Sequence, residues 1–96
     1  MFVLVTYDVN TETPEGRRRL RQVAKICKNF GVRVQNSVFE CVVDSVQLME
    51  MKYKIGEVIN TETDSVRYYN LGKQGREHVE HVGAKPGLNV DDALIF

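Results

Sequence analysis

Phe2-Val3-Leu4-Val5-Thr6-Tyr7-Asp8 is the stretch on which the fold turns. It is a near-continuous apolar run, rich in β-branched and aromatic residues, that ends abruptly in a carboxylate. A run of this length and composition reads as a strand buried on both faces, and therefore as a central strand of a sheet. Asp8 then falls at the strand's C-terminal end, on the rim where sheets of α/β proteins commonly present functional groups. Strand alternation points Tyr7 away from Asp8 and into the core.

Outward from that strand the signals alternate. Thr13-Pro14 fits an N-cap followed by the first helical position, where proline's missing donor costs nothing. A helix is expected from about Glu15 to Phe30, with Gly31 at C′. Leu20, Val23, Ala24, Cys27 and Phe30 form its apolar stripe. Arg17, Arg18, Arg21, Lys25 and Lys28 lie largely opposite, with Arg19 to one side. Strands are expected near Val32–Gln35 and Val38–Val43, separated by a turn or bulge at Asn36-Ser37. Asp44 and Gln47 form a capping box for a second helix carrying Leu48, Met51, Ile55, Val58 and Ile59. Ser65–Leu71 alternates as a further strand, and Val79–Val82 offers a short one.

The order strand, helix, strand, strand, helix, strand is the α+β, ferredoxin-like βαββαβ pattern, here with an additional C-terminal strand. The whole of residues 1–96 reads as one domain, with 79–96 a strand and tail extension. Helices cover one face of such a sheet. The other needs a partner, and a face-to-face homodimer is the simplest cover. The surplus strand is expected to pair across that interface, and apolar Leu94-Ile95-Phe96 to dock nearby, leaving Asp91-Asp92 exposed.

Composition bounds the function. The formal net charge is zero over 96 residues, yet the charges segregate. Residues 1–35 hold seven Lys or Arg against three acids, whereas residues 36–72 hold three against six. One basic face on a neutral chain still binds nucleic acid, because local potential matters more than the sum. No apolar run reaches membrane-spanning length, and the chain does not open as a signal peptide, so the expected compartment is the cytoplasm and no membrane is involved. Cys27 and Cys41 sit in apolar patterns and read as reduced core thiols.

Three stretches bear chemistry. Asp8 is a hard oxygen ligand of the kind Mg²⁺ accepts, one or two carboxylates sufficing when water and phosphate complete the shell. One per chain is a poor site, and two meeting across a dimer axis a better one. The residues alone leave open whether Asp8 instead caps a turn. Arg17-Arg18-Arg19-Leu20-Arg21 is either a solvated helix face or a phosphate-binding one, since Arg forks match phosphate oxygens. His78-x-x-His81 has a chelating spacing only on a helix, and its surroundings read as a loop entering a strand. No Walker loop, dinucleotide-binding glycine motif or RNA-recognition aromatic pair is present.

Tyr7-Asp8, the Arg-rich helix and Arg33-Val34-Gln35-Asn36-Ser37-Val38-Phe39-Glu40 together resemble the small CRISPR-associated protein that partners the integrase in spacer acquisition. The resemblance extends through Asp64-Ser65-Val66-Arg67-Tyr68-Tyr69, and Val79-Glu80-His81-Val82-Gly83-Ala84-Lys85-Pro86 looks like the branch found with type I-C systems. It implies a ferredoxin-like homodimer acting as a Mg²⁺- or Mn²⁺-dependent endonuclease on double-stranded DNA or single-stranded RNA. It equally implies a scaffold that bridges integrase dimers and holds protospacer duplex. The family's metal-binding aspartate falls on Asp8. Its nucleic-acid-binding arginines fall among Arg17, Arg18, Arg19, Arg21 and Arg33, and its supporting aromatics on Tyr7 and Phe39.

Overall fold

The computed structural model describes residues 1–72 and 78–84. The chain runs β1 (Phe2–Asp8), α1 (Pro14–Lys28), β2 (Gly31–Gln35), β3 (Val38–Val42), α2 (Ser45–Val58), β4 (Ser65–Asn70) and β5 (His78–Gly83). One antiparallel sheet holds all five strands in the order β2-β3-β1-β4-β5, so β1 is the central strand. It pairs with β3 through Val5↔Phe39 and with β4 through Val5↔Tyr68. The expected βαββαβ order with one strand added is the observed one.

Alternation then sorts the residues. Val3, Val5 and Tyr7 of β1 join Phe39 and Cys41 of β3 and Val66 and Tyr68 of β4 beneath the helices. Val23 and Cys27 of α1 and Met51 and Ile55 of α2 close this layer from above. The caps form as the sequence dictates. Thr13 accepts from the Gly16 amide at 3.0 Å. Asp44 accepts from the Gln47 amide at 2.7 Å, while the Asp44 amide donates to Gln47 Oε1 at 2.9 Å. Both cysteines are buried and unpaired. Burial pushes the Cys27 thiol up to about 12, with Cys41 adding to the effect and Arg33 offsetting part of it.

Among the described residues, no helix covers the second face of the sheet, although Leu4, Ser65 and Tyr69 on that face are buried. Phe2, Val32 and Val42 point out of it, and Val42 is 77% exposed. Among the described residues, no helix is long and apolar enough to cross a membrane.

Two expectations are corrected. Gly31 is not the left-handed terminator of α1. The helix ends at Lys28 with Asn29 as a right-handed cap. Gly31 instead starts β2, opposite Cys41, where a Cβ would lie 2.2 Å from the Glu40 carbonyl and 2.5 Å from Cys41 Sγ. Glycine is needed there for close approach, not for its φ. β5, expected to pair across a dimer interface, pairs with β4 of its own chain, from Ser65↔Gly83 to Asn70↔His78. The link from Asn70 to His78 is short, so this edge is the nearest unfilled one and closing it costs little loop entropy. The expected docking of Leu94-Ile95-Phe96 and exposure of Asp91-Asp92 lie outside the described residues.

Candidate nucleic-acid and metal site

Asp8 ends β1 opposite Ser65 of β4. It is exposed. Its strand parity, shared with Leu4 and Thr6, places it on the face opposite the helices. Tyr7 has the opposite parity and is only 6% exposed, as expected. Its ring stacks on Phe39 with centroids 6.2 Å apart. Burial raises the phenol's pKa, and Arg33 offsets part of that rise.

The turn between β2 and β3 reaches the same end of the sheet, because the Tyr7 amide donates to the Ser37 carbonyl at 3.1 Å. That turn is Asn36-Ser37, as expected, and neither residue has a positive φ. The ladder slips between Arg33 and Gln35, leaving Val34 as the extra residue of a bulge. The slip keeps Arg33 on the helix side, opposite Phe39, with its guanidinium 5.3 Å from the Phe39 ring centroid. Phe39 is fully buried, so it supports Arg33 and Tyr7 from below and touches nothing outside the protein.

Arg21 of α1 meets Arg33 across a groove of about 360 Å³, lined also by Tyr7, Leu20, Ala24, Asn36 and Ser37. Two guanidiniums over a partly apolar floor suit a phosphate with its sugar or base alongside. Arg17 and Arg18 are exposed near the start of α1, and Arg17 Nη1 donates to the Thr11 carbonyl at 3.2 Å.

Arg19 is placed elsewhere. Its Nε donates to Asp64 Oδ2 at 2.8 Å and its Nη2 to Oδ1 at 3.5 Å. Asp64 is completely buried and also accepts from the Asn10 amide at 3.0 Å, the Asn60 amide at 2.9 Å and Thr63 Oγ1 at 3.1 Å. Burial opposes the charge on Asp64. The Arg19, Asn60, Asn10 and Thr63 hydrogen bonds outweigh it and hold the carboxyl below its ordinary value. Arg19 is thus a structural cation that leaves the basic face, and the charge run divides into Arg17, Arg18 and Arg21 on one side and Arg19 on the other.

No role for Asp64 follows from its place in the sequence alone. The available signal was an acid directly before a buried strand, in a chain whose helix offers an arginine off the basic stripe. Asp64 matters to the site because Asn10 follows Asp8 by two positions and Ser65 pairs with Asp8. One buried carboxylate therefore fixes the backbone on both sides of the exposed one.

Among the described residues, no group of three or more His, Cys, Asp or Glu could hold a metal ion. Among the described residues, Asp8 is the exposed carboxylate at this position. That fits a hard cation that keeps most of its water or shares a second chain's ligand, and not a closed protein cage.

The family described as CRISPR associated protein Cas2 matches residues 1–79. The CRISPR-associated endonuclease Cas2 of Halalkalibacterium halodurans is 54% identical over 96 residues, covering 100% of both chains. The CRISPR-associated endoribonuclease Cas2 of Chlorobaculum tepidum is 53% identical over 96 residues, again 100% of both. The crystal structure of Streptococcus pyogenes Cas2 at pH 6.5 superposes with a TM-score of 0.71 and 59% identity, covering 76% of this chain and 88% of that one.

Proposed function

The chain belongs to the Cas2 family, and from that premise we propose that it is a homodimeric, Mg²⁺-dependent endonuclease subunit of CRISPR adaptation. The observation that carries this reading is Asp8, an exposed carboxylate at the end of the central strand, on the face the helices leave open. Two copies meeting on that face would bury Phe2, Val32 and Val42, each favourable by about 1.5–3 kcal/mol before ordering costs. They would also bring two Asp8 carboxylates toward one axis, supplying a second oxygen ligand. Mg²⁺, or Mn²⁺ in its place, would polarise a phosphodiester and lower the pKa of water there. Arg17, Arg18, Arg21 and Arg33 would hold the flanking phosphates of double-stranded DNA or single-stranded RNA. The related proteins named endonuclease and endoribonuclease support cleavage of nucleic acid, and the second name supports RNA.

A second reading has its own support. The Arg21–Arg33 groove lies on the helix side of the sheet, whereas Asp8 lies on the open side. Nucleic acid can therefore be held without being cut, as a scaffold bridging integrase dimers around protospacer duplex would require.

Asp8→Ala tests the enzyme. Metal-dependent cleavage should fall at least about 100-fold, an effect of the size seen when one group stabilising developing charge is lost. The sedimenting dimer should stay intact, because little packing is removed. Cleavage at the wild-type rate would remove Asp8 from the mechanism. Spacer acquisition in cells carrying Asp8→Asn separates the two readings, since normal acquisition would assign the working role to the scaffold.

A further inference from the structure

β4 sends Val66 and Tyr68 into the core, so Ser65 and Arg67 take the open face. Register continues this parity across three strands. Asp8↔Ser65↔Gly83 is one row, and Thr6↔Arg67↔His81 is the next row on the same face. Arg67 therefore stands on the strand beside Asp8, one same-face step away. Such diagonal neighbours are about 7–8 Å apart, within reach of a long side chain.

Arg67 is half-buried, and its Nε donates to His81 Nδ1 at 3.1 Å. A ring that accepts at Nδ1 carries its proton at Nε2, which lies 3.3 Å from the Gly83 carbonyl and donates to it. Gly83 is itself held by close approach. Its φ is 130°, and a Cβ there would lie 2.0 Å from the Asp64 carbonyl. The chain Gly83–His81–Arg67 thus fixes one edge of a planar guanidinium.

We infer that Arg67 contacts the phosphodiester held at Asp8 and stabilises the charge that grows on its oxygens during cleavage, with His81 as the residue that positions it. This rests on the reading of Asp8 as the cleavage centre. The step is hydrolysis. Water adds to phosphorus and releases a proton to solvent, the bridging P–O bond breaks, and the leaving oxygen takes up a proton from solvent. A guanidinium already pinned before charge develops contributes without reorganising. This accounts for the second histidine of the His78-x-x-His81 motif without a metal role.

The test uses the full-length dimer with duplex DNA as probe. Single-turnover cleavage is measured with Mg²⁺, and binding is measured in EDTA against salt. Arg67→Ala should cleave about 100-fold more slowly. In EDTA its log–log salt slope should be shallower by about 0.9, the loss of one phosphate contact. His81→Phe should slow cleavage roughly 10-fold, and His81→Asn, whose carbonyl oxygen can replace Nδ1 as acceptor, should restore most of it. Nitrogen-15 spectra of wild type should give His81 the Nε2–H tautomer. Arg67→Ala cleaving within twofold of wild type while Asp8→Ala is inactive would overturn the role of Arg67 alone. An unchanged salt slope in EDTA would do the same, whatever the activity. Equal rates for His81→Phe and His81→Asn would remove the positioning role. If Asp8→Ala cleaves like wild type, the reading of Asp8 falls and this inference falls with it.

Discussion

The two faces of the sheet use the same strands for opposite purposes. Under the helices, Val3, Val5, Phe39, Cys41 and Val66 are fully buried, and order comes from close packing. On the open face, which Asp8, Arg67 and His81 share, Val32 and Val42 are 69% and 77% exposed. Adjacent residues of one strand, Tyr7 and Asp8, thus face a dry core and open water. The difference teaches that the covered face carries the stability of the chain, while the open face carries the charged side chains on which the proposed function rests.

The largest effect should come from breaking the covered face. Phe39→Ala removes a ring that supports both Tyr7 and Arg33 and should cost about 3–5 kcal/mol in urea unfolding. A cost below about 1 kcal/mol would mean that the face is not a tightly packed core. Asp64→Ala should cost about 3 kcal/mol, because Arg19 and two backbone amides lose their acceptor together. Asp64→Asn sharpens this through pH. The carboxyl is held below its ordinary value of 3.8 in the folded chain. Its contribution is therefore complete above about pH 4 and is lost as the pH falls through the depressed value. The stability gap between wild type and Asp64→Asn should stay constant from neutral pH down to about 4 and narrow below it.

Val42→Lys attacks the open face. The circular dichroism of the chain should be unchanged, while the proposed dimer should dissociate about 10–100-fold more readily in sedimentation, some 1.4–2.8 kcal/mol. Loss of folding instead would erase the distinction between the faces. The smallest effect belongs to the groove edge. Replacing Arg18 and Arg21 by Ala should flatten the salt dependence of duplex binding by up to about 1.8 log–log units, at about 0.9 for each phosphate contact. An unchanged slope would make this side of α1 a solvated surface.

Local signals in the chain were sufficient for β1, for the Thr13 and Asp44 caps, for the apolar stripe of α1 and for the Asn36-Ser37 turn. Each depends on residues a few positions apart, whose periodicity and short-range hydrogen bonds are written in order along the chain. Asp8 was legible for the same reason, as a charge closing an apolar run. Its surroundings were not. Arg19 and Asp64 are 45 positions apart and Arg67 and His81 are 14 apart. A polar side chain in a basic run or a polar loop has many available partners, and only strand order and register select one. Gly31 shows the same boundary. Its identity was suited equally to a helix terminator or a close approach, and the seating of β2 against Cys41 decided between them. Sequence by itself determined which elements form and which residue stands exposed at the end of the central strand. Tertiary structure alone decided which charges hold the fold and which stay at the surface, because pairing between distant groups is settled by the packing that brings them together.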